Sequence, residues 1–149
     1  MNAITLYRIG NWCYKRHIPL IPKLTKGLTF LLFNSVVPFT AEIGKGTKFA
    51  YGAIAVVVHS RAVIGDNCII GTCVTIGGNK NHKEVPRIGN HCYIATGAKV
   101  LGPITIGDDS FIGANSVVTR NVPARSLVAG IPAKIIKNDI DISEYSIHM

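Results

Sequence analysis

Branched aliphatic residues recur every six positions through the middle of the chain. They fall on Val58, Ile64, Ile70 and Ile76, miss one slot, and return at Ile88, Ile94, Val100, Ile106, Ile112 and Val118. The residue after each mark is mostly small: Gly65, Gly71, Gly77, Gly89, Ala95, Gly107 and Gly113. Four residues after a mark come Ala62, Cys68, Val74, Cys92, Ala98, Ser110 or Ser116, with Ile104 the bulky exception. A short fixed period decides the architecture before any other signal does. An amphipathic helix needs apolar spacing near 3.6 and a half-buried strand alternates by two. A period of six fits neither. It predicts a flat-sided coil with one inward aliphatic per face and a glycine-assisted turn at each corner.

Other patterns flank the coil. Ile4, Tyr7, Ile9, Trp12 and Cys13 make a helical stripe over residues 3–17, which Pro19 and Pro22 end. A second helix is expected over 21–35, apolar in its second half. The run LTFLLFNSVVPF is too short, and too interrupted by Asn34 and Pro38, to span a bilayer, which needs about 20 apolar residues. Docking of this helix on the coil or on a neighbouring subunit is the reading taken; an interfacial helix lying on a membrane is the alternative. The coil is expected to begin near Thr40, with Ile43 and Phe49 in frame. The frame then slips by three residues before Val58, so the segment after Phe49 must bulge. Polar residues and Gly77-Gly78 make 77–87 a loop leaving the wall, with His82 in the slot of an aliphatic. Pro123 is expected to end the coil, and 126–137 to cap it together with the amino-terminal helices. This divides the chain into a helical cap (1–39), a coil (40–137) and a tail (138–149) expected to pack loosely or fray.

Several stretches carry a resemblance: VVVHSRAVIGDNCIIGTCVTIGG, the loop ending VPRIGN, TGAKVLGPITIGDDSFIGANSVVT, and VAGIPAKII. Together they resemble the hexapeptide-repeat acyltransferases, in particular the serine acetyltransferases and related polysaccharide O-acetyltransferases. The resemblance implies a left-handed parallel β-helix, all-β with three six-residue faces per turn. It also implies a homotrimer with acetyl-CoA as co-substrate, bound between subunits; no metal is expected, since no His cluster completes a zinc site. Serine acetyltransferases carry an Asp-His pair just before the valine-rich segment, where this chain reads Ala50-Tyr51-Gly52.

Three faces of six make a turn of 18 residues. On that count Val58, Ile76, Ile94 and Ile112 stack, and the next residues form a column: His59, Gly77, Ala95, Gly113. One imidazole above three small residues suggests a channel for a long thin ligand. Histidine suits acid–base work near neutrality, so His59 is expected to be the general base, with His82 and Glu84 as partners, from the same chain or reaching across from a neighbouring subunit. The resemblance implies that Gly77, Ala95, Gly97, Gly113 and Ala114 flank the pantetheine arm of CoA. Lys99, Arg120, Lys134 and Lys137 are candidates for its phosphates. The expected activity is O-acetylation of a surface-polysaccharide sugar or its precursor, with serine as the second acceptor. A non-catalytic β-helix scaffold is the rival from another class.

Composition narrows this picture further. The 149 residues are 48% hydrophobic and 16% charged, which excludes a disordered chain, and the net charge of +8 fits an anionic partner. No nucleic-acid-binding motif accompanies the charge, so a nucleic-acid partner is not expected. Peripheral association with the inner face of a membrane stays open. Cys13, Cys68, Cys73 and Cys92 form no C-x-x-C pair. They read as reduced and structural, in a cytoplasmic protein without a cleavable signal.

Overall fold

The computed structural model describes residues 2–145. Two antiparallel-packed helices precede the coil, α1 (Ala3–Lys15) and α2 (Ile21–Phe33). Pro22 sits in the first turn of α2, where its missing N–H is harmless. The chain then winds through β1 (Glu42–Ile43), β2 (Lys48–Phe49) and β3 (Val57–Val58). A second turn adds β4 (Val63–Ile64), β5 (Ile69–Ile70) and β6 (Thr75–Gly77), and a third adds β7 (Arg87–Ile88), β8 (Tyr93–Ile94) and β9 (Lys99–Leu101). The fourth holds β10 (Thr105–Ile106), β11 (Phe111–Ile112) and β12 (Val117–Val118), followed by β13 (Leu127–Gly130) and β14 (Ala133–Lys137).

Three sheets form the walls of a parallel β-helix: β1-β4-β7-β10, then β14-β13-β11-β8-β5-β2, then β12-β9-β6-β3. Among the described residues only the β13–β14 pair, at the carboxy-terminal end, is antiparallel. The marked aliphatics point inward, and Ile64, Ile70, Ile76, Ile94, Ile106 and Ile112 are fully buried. Burying each is worth about 2–3 kcal/mol, so the six-residue period is the core itself.

Two expectations about the corners need revision. The glycine after each mark is not there for a left-handed backbone. A Cβ on Gly65 would lie 2.5 Å from the Gly89 carbonyl oxygen, so the next turn approaches too closely for a side chain. The left-handed residue comes two positions later, at Asn67, Cys73, His91, Gly97, Asp109, Asn115 and Arg125. The small slot four residues after a mark also does more than save space. Thr47 donates to the Gly65 carbonyl (2.7 Å), Cys68 to Gly89 (3.1 Å), Cys92 to Gly107 (3.2 Å) and Ser110 to Pro123 (3.0 Å). Contact with Cys68, then burial, pushes the Cys92 thiol far above its usual range, so it stays protonated. Cys73, by contrast, is exposed at a corner.

Pro123 does not end the coil. Val122 bridges Ile106, and Val128 pairs with Ile112 six residues later, so the period continues for two more faces. The N–H that Pro123 lacks would point past the last rung of the first sheet, where no further strand accepts it. The frame slip after Phe49 is a tight turn with Tyr51, Gly52, Ala53 and Ala55 all at positive φ.

Both ends are closed. Tyr7 donates to the Ala41 carbonyl and accepts the Ile43 N–H, while Asn2 donates to the Phe49 carbonyl, so α1 seals the amino-terminal rung. At the other end β14 pairs antiparallel with β13 at the edge of the second sheet, and Ala133 packs against the core. The tail packs rather than frays: Ile140 is buried and Tyr145 rests on Phe111 at 5.2 Å. Its last four residues, 146–149, lie outside the described residues.

Candidate active site

Two of the three corners of the coil repeat one left-handed turn. The third, where the chain passes from the β3-β6-β9-β12 sheet back to the first, does not. Its rungs are residues 59–62, 77–86, 101–104 and 119–122, and among the described residues only Gly102 there has a positive φ. This open corner carries His59, the long loop, Gly102-Pro103 and Arg120.

His59 follows directly on β3. Its N–H donates to the Ile76 carbonyl (2.8 Å) and its carbonyl accepts the Ala62 N–H (3.0 Å), so the backbone is fixed by the coil. The half-buried ring accepts the Arg61 N–H at Nδ1 (3.1 Å). In the neutral ring the proton therefore sits on Nε2. The imidazole lies against Gly78, where a Cβ would come within 3.8 Å of Cδ2 and 4.0 Å of Nε2. Val85, at the returning foot of the loop, flanks the same point at 3.4 Å. The two feet of the loop thus form a slot around the His59 ring.

The loop separates its two candidate partners. His82, whose N–H donates to the Asn79 carbonyl (3.1 Å), lines a cavity of about 680 Å³ with Lys80, Leu101, Gly102, Pro103 and Arg120. Glu84 lines a different cavity of about 280 Å³ with Arg61, Lys83, Val85 and Arg87. Among the described residues no ion pair joins Glu84 or His82 to His59.

The predicted column does not form. Ile76 pairs with Val100, twenty-four positions on rather than eighteen, and Val100 with Val118. The loop is an excursion at a corner and contributes no face, so every mark after it moves one wall along. Beside His59 the column therefore reads Gly77, Leu101, Thr119. Ala95 and Gly113 belong to the neighbouring corner, stacked with Gly71 and Ala129, and Gly97 and Ala114 lie on that same corner. Gly77 alone of the expected small residues stays beside His59. Lys99 is on the wall between the two corners, its Nζ donating to the Cys73 carbonyl (2.6 Å). Arg120 and Lys134 meet at a third cavity, of about 290 Å³, near the carboxy-terminal end.

Sequence reasoning did not single out Gly78, Arg61, Val85 or Arg87. The Gly77-Gly78 doublet read only as loop punctuation, although the second glycine makes room for the imidazole. Tyr51, in the Ala50-Tyr51-Gly52 segment, is exposed and left-handed, in a turn without an acid or an imidazole.

Comparison with known proteins fits this arrangement. The family described as Bacterial transferase hexapeptide (six repeats) matches residues 86–120. The chain is 35% identical over 141 residues to the serine acetyltransferase of Helicobacter pylori strain J99, covering 93% of this chain and 82% of that relative. It is 38% identical over 137 residues to the serine acetyltransferase of Synechococcus elongatus, covering 91% of this chain and 56% of the relative. The serine acetyltransferase of Brucella abortus strain S19, solved in complex with coenzyme A, superposes with a TM-score of 0.86 at 34% identity, over 91% of this chain and 55% of the other. The fold and repeat define a hexapeptide-repeat transferase. Within that class the chain belongs to the serine acetyltransferase family, and it spans little more than half the length of the Synechococcus and Brucella proteins.

Proposed function

We propose that the protein is an acetyl-CoA-dependent O-acetyltransferase in which His59 activates the acceptor hydroxyl. One observation carries this reading: a half-buried imidazole at the open corner, in a glycine-lined slot between cationic cavities. His59 takes the proton as the acceptor oxygen bonds to the acyl carbon, and returns it to the departing sulfur as the C–S bond breaks. General-base help of this kind contributes about 10²–10⁴-fold. As held, the ring's free lone pair is on Nδ1, shared with the Arg61 N–H. Base catalysis through Nε2 therefore requires the proton to move to Nδ1, which needs a new acceptor there. Glu84, or a group from a neighbouring subunit, would supply it.

Acetyl-CoA provides the activated thioester. The residues present suit such a ligand: Gly77 and Gly78 leave space beside His59, and Lys80, Arg120 and Lys134 supply cations for phosphates. Ala95, Gly97, Gly113 and Ala114 would flank the pantetheine arm of a ligand held by an adjacent subunit, across the wall that carries Lys99. That arrangement goes with a homotrimer of about three times the 16.0 kDa chain, measurable by sedimentation. The same reading places the protein in the cytoplasm, where acetyl-CoA is available.

Serine is the acceptor that the relatives' names support, ahead of the glycan hydroxyl expected from sequence. The glycan reading keeps one point in its favour: the resemblance implies an Asp-His pair where this chain reads Ala50-Tyr51-Gly52. Coenzyme A release from acetyl-CoA, measured without acceptor, with serine, and with nucleotide sugars or glycans, decides between them. Serine-dependent release supports the first reading and release only with sugars the second. Absence of both release and CoA binding would leave a scaffold.

A further inference from the structure

We propose that the outer face of the α1–α2 hairpin is an interfacial surface that seats the protein on an anionic membrane. The sequence reading docks α2 on the coil or on a neighbouring subunit, and in the structure it packs against α1 through a side without large apolar residues. Its buried residues are Pro22, Thr25 and Thr29. The two hydroxyls are satisfied inside the helix, Thr25 donating to the Pro22 carbonyl (3.0 Å) and Thr29 to that of Thr25 (2.8 Å). Against Thr25 packs Gly10 of α1, where a Cβ would come 2.4 Å from its Oγ1. Small residues thus bring the two helices together, as they do where apolar burial cannot drive association.

The leucines are left outside. Leu20, Leu24 and Leu31 are 77%, 64% and 77% exposed, and Ile21 and Leu32 are also exposed. At 100° per residue these five fall within an arc of about 120°, next to the docked side. Trp12 and Phe30 add exposed aromatic surface, and the Arg16 guanidinium lies 3.8 Å over the Trp12 ring. A contiguous apolar patch rimmed by polar groups marks an interaction site.

Charge identifies the occupant. Residues 2–41 contain Arg8, Lys15, Arg16, Lys23 and Lys26 and no aspartate or glutamate, so the hairpin carries five of the chain's eight net positive charges. Arg8 is bound to the Ile43 and Gly44 carbonyls. The other four are exposed. A second copy of this chain would set the same cations against one another, whereas an anionic leaflet complements them. Each helix has 13 residues, about 20 Å long, against a hydrocarbon core of about 30 Å. Among the described residues no helix is long and apolar enough to cross. The hairpin therefore lies in the headgroup region, leucines down.

The test is co-sedimentation of the full chain with vesicles of phosphatidylcholine alone and of equal parts phosphatidylcholine and phosphatidylglycerol. Binding to the mixed vesicles should be stronger and should fall as salt is added. Lys23→Gln with Lys26→Gln should weaken it about tenfold or more, since each cation near an anionic leaflet contributes about fivefold. Leu24→Asp with Leu31→Asp should abolish it, with the coil's melting and the assembly mass unchanged. Equal binding to both vesicle types, or none to the mixed ones, overturns the proposal. A Leu24→Asp, Leu31→Asp protein whose assembly becomes smaller also overturns it, because the face would then belong to a second copy.

Discussion

Two corners of the same coil use opposite chemistry. Between the first and second sheets the turns seal one another: Asp66 accepts the Lys45 N–H, Asn90 that of Asp66, and Asp108 that of Asn90. Thr47, Cys68, Cys92 and Ser110 close the remaining carbonyls. Each side chain of that ladder is spent on the backbone of the preceding turn. At the open corner no such ladder forms, glycines have space around them, and His59, His82, Arg61, Lys80 and Arg120 are left to face solvent or ligand. A repeat that satisfies itself can do nothing else, so chemistry collects where the repeat stops.

The glycines give the sharpest way to break this comparison. Gly65→Ala places a methyl group 2.5 Å from backbone that cannot yield. It should cost about 3 kcal/mol, the upper range for overpacking, and lower the melting temperature by about 6–12 °C. A Gly65→Ala protein that melts with the wild type would show that the sealed corner is not tightly packed.

His59→Ala should do the reverse. The same slot on other turns holds Gly77, Leu101 and Thr119, so folding tolerates any size there, and thermal unfolding should not shift. Turnover should fall by about 10²-fold or more, the lower end for loss of a general base. Gly78→Ala sits between these two. Its new Cβ would touch His59 and Val85 at ordinary contact distance, so stability should change by less than about 1 kcal/mol. Turnover should nonetheless drop about tenfold, because the slot around the ring closes. If Gly78→Ala keeps full activity, acceptor and imidazole do not meet there.

How far this contrast was legible in the sequence depends on the length scale of each interaction. The six-residue marks, both helices and the loop are local, and each is found within about two residues of its predicted span. The sealing hydrogen bonds are not local. Cys68 reads as a small residue because its acceptor, Gly89, lies 21 positions on. The phase of the columns fails for a related reason. His82 falls in frame, and only folding reveals that its slot is loop and not wall, which moves Ala95 and Gly113 away from His59. The exposed leucines of α2 were visible as apolar residues, but which side would dock depended on Gly10 meeting Thr25.

A smaller effect is expected from His82, on the far side of the loop from Glu84. His82→Ala should raise the acceptor's KM a few-fold and leave kcat nearly intact, as loss of a ground-state contact does. Abolished turnover in His82→Ala with near-normal turnover in His59→Ala would move the base to the loop.

The least perturbing test concerns the tail, which covers the second sheet while the open corner stays bare. Asp141 accepts from the Ser143 Oγ (2.7 Å) and N–H (2.9 Å), starting the short turn that brings Tyr145 onto Phe111. The Ser143 hydroxyl, then its N–H, hold the Asp141 carboxyl below the usual aspartate range, with Arg125 assisting. A carboxyl whose folded value is depressed contributes in full above its unfolded value and progressively less as pH falls through the folded one. Docking of the tail should therefore loosen in acid, below the ordinary aspartate range, before the coil itself melts. Amide exchange at Ile140, whose N–H donates to the Arg125 carbonyl (3.0 Å), reads this directly. Exchange should quicken on acidification relative to coil amides such as Ile94, and Asp141→Asn should remove that difference. Equal acid dependence of the Ile140 and Ile94 amides in the wild type would mean that the tail is held by Ile140 and Tyr145 alone.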